Sequence, residues 1–238
     1  MSKHLSALRA LESRLIRPGR PPAGLRPGAR LRRLVATRLD AFATRCLDIG
    51  VAAGCIMLFS PLALLFVLLI RRDGGPALYW QTRIGQYGRQ FAFPKFRSMV
   101  VNADKLRDEL ERANEHGQRG VTFKLENDPR ITPIGRFLRR SSIDELPQLW
   151  CVLRGDMALV GPRPALPGEV ARYSPMQRRR LEARPGLTCL WQIRGRSQIP
   201  FDGQVELDIE YIRTRSFGGD VMLLLKTVPA VLFGRGAA

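Results

Sequence analysis

Histidine is nearly absent from this chain: His4 and His116 are the only two. A Ser-His-Asp triad or a zinc site built on histidines is therefore not expected, and acid-base work falls to carboxylates. The four cysteines, Cys46, Cys55, Cys151 and Cys189, form no C-x-x-C pair. They read as small reduced hydrophobes of a cytosol-facing protein rather than as a disulfide or metal framework. Acidic residues are scarce as well, 21 against 39 Lys and Arg. There is no internal repeat, no P-loop and no G-x-G-x-x-G, which removes those particular nucleotide-binding folds and no others.

What the chain has is positive charge. Its 238 residues carry a net charge of +18 and a pI near 11.2. Such a balance calls for an anionic partner: nucleic acid, anionic lipid or a phosphorylated substrate. The charge is uneven. Residues 1–45 hold eleven Lys and Arg against Glu12 and Asp40, a net of +9. Residues 1–33, with Arg17-Pro-Gly-Arg-Pro-Pro-Ala-Gly, read as a flexible basic tail. A basic helix over about 34–46 then leads into an apolar run.

That run, Ile49 to Ile70, is 22 residues without a charge. A straight helix of that length covers about 33 Å, enough for a hydrocarbon core of ~30 Å. A single spanning helix is one reading. A re-entrant pair entering and leaving by one face is the other, and the residues alone leave both open. Ser60-Pro61 lies near the middle: Pro61 lacks the N–H that would reach the Met57 carbonyl, so the helix should bend, and the Ser60 hydroxyl can reach back to a freed carbonyl. Both flanks are basic, Arg30 to Arg45 before and Arg71 to Arg89 after. Arginine clusters prefer the cytoplasmic side, and a spanning helix would send one of them across.

Beyond the run, residues 78–99 alternate in β fashion around a Gly-rich turn and predict a hairpin. Ala103–Glu115 reads as a charged surface helix. Gln177–Ala183 and Gly203–Arg215 read as helices. Residues 161–168, Gly-Pro-Arg-Pro-Ala-Leu-Pro-Gly, predict a stiff loop. Val221–Phe233 is apolar, 13 residues long, and too short to span.

The chemistry points to Ser141-Ser-Ile-Asp-Glu-Leu-Pro147. On spacing alone, Ser142 and Glu145 read as a capping box. Pro147 argues against it, because proline is comfortable only in a first turn, which moves the helix start to Asp144 or Glu145. The two carboxylates then lie at the positive end of a helix, which with nearby arginines keeps Asp144 ionised. Two adjacent carboxylates can share Mg²⁺, or one can bind metal while the other attacks phosphorus. Arg139 and Arg163 have a bland reading as solvated charges, weaker for Arg163 because Pro162 and Pro164 hold its backbone. A fixed arginine fork suits phosphate. Lys95 and Arg97 can be read as outward strand residues, and Asp208 as a surface helix residue. A membrane-tethered nucleic-acid-binding protein is the alternative reading of the charge, and it gives the carboxylate pair no role.

Taken together, these motifs resemble the bacterial sugar transferases, the monotopic phosphoglycosyl transferases that act on polyprenyl phosphate. The resemblance runs from about Ala41 to Phe233. It is carried by Ser60-Pro61, Lys95-Phe-Arg-Ser-Met99, Asp128-Pro-Arg-Ile-Thr-Pro-Ile-Gly-Arg136, Ser142-Ile-Asp-Glu-Leu-Pro-Gln148, Leu153-Arg-Gly-Asp-Met157, Gly161-Pro-Arg-Pro164, Arg184-Pro-Gly-Leu-Thr188 and Glu206-Leu-Asp208. It implies an α+β, mostly helical monotopic membrane protein. A re-entrant helix hairpin, 34–72, broken at Ser60-Pro61, would precede a small cytoplasmic catalytic domain, 73–238, with interfacial helices. It implies transfer of a sugar-1-phosphate from a UDP-sugar to undecaprenyl phosphate, releasing UMP, at the start of exopolysaccharide, capsule, O-antigen or glycoprotein glycan assembly. Asp144 would be the nucleophile and Glu145 the Mg²⁺ ligand, with Asp144 a second candidate ligand. Arg139 matches a phosphate-contacting position, Arg163 and Asp208 match positions near the nucleotide, and Lys95 and Arg97 join them as phosphate or nucleotide candidates. The implied partners include anionic lipids of the bacterial inner membrane but no nucleic acid. Downstream glycosyltransferases and a homo-oligomer are left open. The basic tail falls outside the resemblance, and the chain resembles the short form of the family, without the multi-span N-terminal region of larger members.

Overall fold

The apolar run folds as the second half of one long helix, α1 (Pro27–Ile70), in a computed structural model that describes residues 27–103, 128–195 and 199–232. The basic tail up to residue 26 and the expected Ala103–Glu115 helix beyond Ala103 lie outside the described residues. Helix α1 begins earlier than the sequence reading placed it, because Pro27 suits a first turn and Ala29 to Leu34 are good helix formers. Pro61 lies inside this helical stretch. The Ser60 hydroxyl donates to the Met57 carbonyl at 2.9 Å, replacing the bond that proline cannot make.

A 3₁₀ turn, Arg71–Asp73, ends α1, and Gly74 follows at φ 80°, where a side chain would be strained. The expected hairpin is β1 (Leu78–Ile84) against β2 (Gln90–Phe96), antiparallel, with Leu78 opposite Phe96 and Ile84 opposite Gln90. Helix α2 (Pro133–Arg140) starts where Thr132 accepts a hydrogen bond from Gly135 N and Pro133 takes the first turn. After a 3₁₀ turn, Ile143–Gln148, comes α3 (Leu149–Arg154). Strand β3 (Ala158–Val160) leads to α4 (Pro167–Ala171), which takes the end of the predicted stiff loop because Pro167 can open a helix and Glu169 accepts from Leu166 N. Gln177–Glu182 is a 3₁₀ segment, not an α-helix. Strand β4 (Gly186–Thr188) pairs parallel to β3, and α5 (Leu190–Arg194), α6 (Phe201–Thr214) and α7 (Phe217–Leu232) complete the described residues.

Two of the three apolar clusters of the core each take one half of the apolar run. Ala52 packs with Phe93, Leu149, Val152, Leu159 and Leu223. Phe66 and Ile70 pack with Ala77, Phe96 and Leu138. Leu146, next to Glu145, packs against both. Between the halves, Met57 is 76% exposed and Leu58 71%. Polar bonds repeat the pattern. Arg45 donates to the Val152 and Leu153 carbonyls at 2.7 and 2.8 Å, closing the C-terminal end of α3. Asp48 accepts from Leu159 N at 2.9 Å. At the far end, Arg97 donates to the Ile70 carbonyl at 2.9 Å. Both flanks of the apolar segment are thus tied to one body.

Candidate active site

The carboxylate pair lies on the 3₁₀ turn, one turn ahead of α3, so the expected placement in the first turn of an α-helix is not what forms. Ser142 sits at φ 57° and ψ 16°, while a capping residue needs extended backbone, and its side chain makes no cap bond. Ser141 instead donates back to the Phe137 carbonyl at 2.8 Å. Glu145 N closes the turn on the Ser142 carbonyl at 3.2 Å. Asp144 is 6% exposed and the Glu145 side chain 21%.

Three elements bring cations to this turn. From β2, Lys95 Nζ lies 3.0 Å from Glu145 Oε1 and 3.6 Å from Asp144 Oδ2. From the loop after β3, Arg163 Nη2 lies 3.6 Å from Glu145 Oε1. From α2, Arg139 registers the Asp144 charge and donates from Nε to Ser98 Oγ at 2.9 Å. Gly135 makes this last approach feasible: a Cβ there would fall 1.9 Å from the Ser98 carbonyl oxygen, so only glycine lets α2 lie so close to the end of the hairpin. Five of the predicted residues, Lys95, Arg139, Asp144, Glu145 and Arg163, therefore converge.

Charge sets the two carboxylates apart. Burial pushes the Asp144 carboxyl above its ordinary value, with Glu145 adding to the rise; Lys95, Arg139 and Arg163 pull against it. Burial therefore works against the charge that Lys95, Arg139 and Arg163 favour at Asp144. Glu145 also meets desolvation, but Lys95 and Arg163 overcome it and hold its carboxyl below the usual range. Among the described residues, no cluster of three or more His, Cys, Asp or Glu could hold a metal. The Asp144 and Glu145 carboxylates remain. Mg²⁺ commonly takes one or two carboxylates and completes its shell with water and phosphate oxygens, so this pair suits an ion arriving with a diphosphate.

Two predicted site residues are engaged elsewhere. Arg97 is 6% exposed; it spends its guanidinium on Asp73 and on the Pro76 and Ile70 carbonyls, fastening the end of α1. Asp208 is 1% exposed and not the surface residue its helical setting implied. Its Oδ2 pairs at 2.7 Å with Nε of Arg180, whose guanidinium lies over the Tyr173 and Phe201 rings. The Asp128-Pro-Arg130 motif is likewise a structural fork, with Arg130 Nε 2.8 Å from Oδ1 and Nη2 2.6 Å from Oδ2. Sequence reasoning passed over Ser98, Arg83 and Arg180. Ser98 lay inside a quoted motif, but Arg180 was hidden in the run Arg178-Arg179-Arg180, whose composition does not reveal which member is buried.

The family model described as Bacterial sugar transferase matches residues 39–234. The Galactosyl transferase CpsE of Streptococcus agalactiae is 48% identical over 196 residues, 82% of this chain and 43% of that protein. The Undecaprenyl-phosphate galactose phosphotransferase of Salmonella typhimurium is 42% identical over 211 residues, 87% of this chain and 44% of that protein. The UDP-glucose:undecaprenyl-phosphate glucose-1-phosphate transferase of Caulobacter vibrioides is 43% identical over 217 residues, 87% of this chain and 75% of that protein. The chain thus spans less than half the length of the first two relatives and most of the third. With the match covering all the described elements after the first turns of α1, the chain belongs to the bacterial sugar transferase family.

Proposed function

We propose that this chain moves a sugar-1-phosphate from a UDP-sugar to undecaprenyl phosphate, releasing UMP, by way of a covalent intermediate on Asp144. The observation that carries the reading is the buried Asp144-Glu145 pair faced by Lys95, Arg139 and Arg163 from three separate elements. The relatives' names include galactose and glucose, so the sugar is left to experiment.

In the first displacement, an Asp144 oxygen attacks the β-phosphorus of the UDP-sugar. The bond to the bridging oxygen breaks, and UMP leaves with the electron pair. In the second, an oxygen of undecaprenyl phosphate attacks the same phosphorus, and the Asp144 carboxylate is restored. No net proton is exchanged between the partners. A phosphoanhydride is lost and another formed, so the barrier is chiefly charge repulsion among phosphates. Arg139 and Arg163 suit that task, because a guanidinium fork meets phosphate oxygens directly. Lys95 holds Asp144 and Glu145 together and offsets their repulsion. Mg²⁺, when bound at Glu145 with Asp144 beside it, would neutralise the diphosphate.

The same reading sets the chain in a membrane. Among the described residues, Thr37–Asp73 is the one helical stretch long and apolar enough to cross a bilayer. We propose that it enters and leaves by the cytoplasmic face. Support comes from Arg45 and Arg97, which tie both ends of the apolar segment to the catalytic domain, and from the exposed midpoint at Met57 and Leu58.

The test is a screen for UMP release across UDP-sugars with undecaprenyl phosphate and Mg²⁺. With the active donor, labelled UMP should exchange into UDP-sugar without lipid. Mass spectrometry should then find a sugar-phosphate adduct on the peptide holding Asp144. Asp144→Asn should abolish exchange and turnover. Robust lipid-dependent turnover with neither adduct nor exchange would replace this mechanism with direct transfer.

A further inference from the structure

Arg83 has no role in the reading above, yet it is the side chain that joins the hairpin to the Arg163 loop. Its Nη1 donates to the Pro164 carbonyl at 3.0 Å and its Nη2 to Gln81 Oε1 at 2.7 Å. The guanidinium lies over Phe93, 5.2 Å from the ring centre. The next residue, Ile84, donates its backbone N–H to the Ala165 carbonyl at 2.8 Å. On the other side of the loop, Gly161 N donates to the Thr188 carbonyl and Gly186 N to the Pro162 carbonyl, both at 2.9 Å. These pins fall on both sides of Arg163, and the one supplied by a side chain is Arg83.

Burial pushes the Arg83 guanidinium down to about 10, and the Arg163 charge pushes the same way, while Glu169 and Glu145 pull it up. A cation is thus kept in an unfavourable setting beside a second cation. Free surface arginines do not tolerate this; a residue held by fixed acceptors and an aromatic face does.

We propose that Arg83 is a positioning residue for Arg163: by fixing the Pro164 carbonyl it sets where the Arg163 guanidinium meets the donor's phosphates. The inference rests on the phosphoglycosyl transfer reading. Lysine at position 83 keeps the charge but cannot hold the Pro164 carbonyl and Gln81 in one planar fork.

The experiment compares wild type, Arg83→Lys, Arg163→Lys and the double variant, with melting temperatures confirming that each is folded. Arg83→Lys should raise KM for the UDP-sugar about tenfold and leave KM for undecaprenyl phosphate unchanged. The double variant should be no worse than Arg163→Lys alone, because residues acting through one another are not additive. Hydrogen exchange should quicken at Ile84, Gly161 and Gly186, whose N–H groups pin the loop, and stay unchanged in α6. Gln81→Ala, which removes the second acceptor of the fork, should shift KM and exchange in the same direction by less, and serves if Arg83→Lys does not fold. Wild-type kinetics and exchange in both variants would overturn the proposal. So would fully additive losses, which would make Arg83 an independent contact. If no UDP-sugar is turned over by wild type, the transfer reading fails; the exchange pattern then decides separately whether Arg83 holds the loop.

Discussion

Ser60 Oγ donates a 2.9 Å hydrogen bond to the carbonyl of Met57, the same carbonyl that Pro61 leaves without a backbone donor. The segment is exposed on the protein, with Met57 and Leu58 facing outward. In hydrocarbon no water could take over the bond. Ser60→Ala should therefore lower stability in nanodiscs by about 1–3 kcal/mol, the cost of an orphaned acceptor. Ser60→Ala with Pro61→Ala should recover it, since the alanine N–H restores the missing donor. An unchanged melting temperature for Ser60→Ala would place this segment in water. Cysteine labelling in intact cells examines the topology itself. Periplasmic labelling near residue 20, with the catalytic domain protected, would defeat the re-entrant reading.

Arg139 and Arg163 should respond to lysine as phosphate-gripping forks do. An ammonium cannot make two parallel bonds, so each Arg→Lys change should cost tenfold or more in kcat/KM, on the order of 1.4 kcal/mol. Arg139 also holds Ser98 at 2.9 Å. Ser98→Ala should therefore give a smaller loss in the same direction as Arg139→Lys. Lysine at both arginine positions with wild-type kinetics would reduce them to surface charge.

The Asp208-Arg180 pair makes a prediction of a different kind. Its partners are 2.7 Å apart and nearly inaccessible, and Arg180 lies over the Phe201 ring at 5.4 Å. Asp208→Asn should leave a buried guanidinium unpaired and cost about 3–5 kcal/mol, read as a fall in denaturation midpoint. If Asp208 instead serves the nucleotide directly, the variant should melt normally and lose activity. Calorimetry and kinetics on one preparation separate the two.

Asp220 supplies a pH dependence. It accepts a hydrogen bond from Tyr211 at 3.0 Å. Burial raises its carboxyl to about 6 from an ordinary 3.8; Tyr211 and Arg215 pull it down and Asp48 pushes it up. Between these values the folded state keeps a proton that the unfolded state has released. Stability from this group is full below about 4 and lost as pH rises through about 6, a fall on the order of 2 kcal/mol. Asp208 is also raised to about 6 and contributes with the same sign. Asp220→Asn should flatten part of the slope of melting temperature between pH 4 and 6. An identical slope in the variant would show that Asp220 ionises normally.

Much of this was legible along the chain because it depends on neighbours in sequence. The uncharged run, its basic flanks and the Ser60-Pro61 pair with its hydroxyl bond follow from residues within one helical turn. The adjacent carboxylates, the β-hairpin and the stiffness around Arg163 are local in the same sense. Selecting among 39 basic residues is not. Lys95 and Arg97 are two apart, yet the first meets Asp144 and Glu145 while the second secures the end of α1, because β2 ends at Phe96 between them. Likewise Ser142 and Glu145 have capping-box spacing, but the backbone turns left-handed at Ser142 and Pro147 continues a 3₁₀ turn. Burial made the same distinction for Asp208, which is enclosed and paired with Arg180. The sequence determined which charges, bends and reactive groups exist. The tertiary structure decided which of them meet, because pairing a charge depends on desolvation and on packing between segments far apart in the chain.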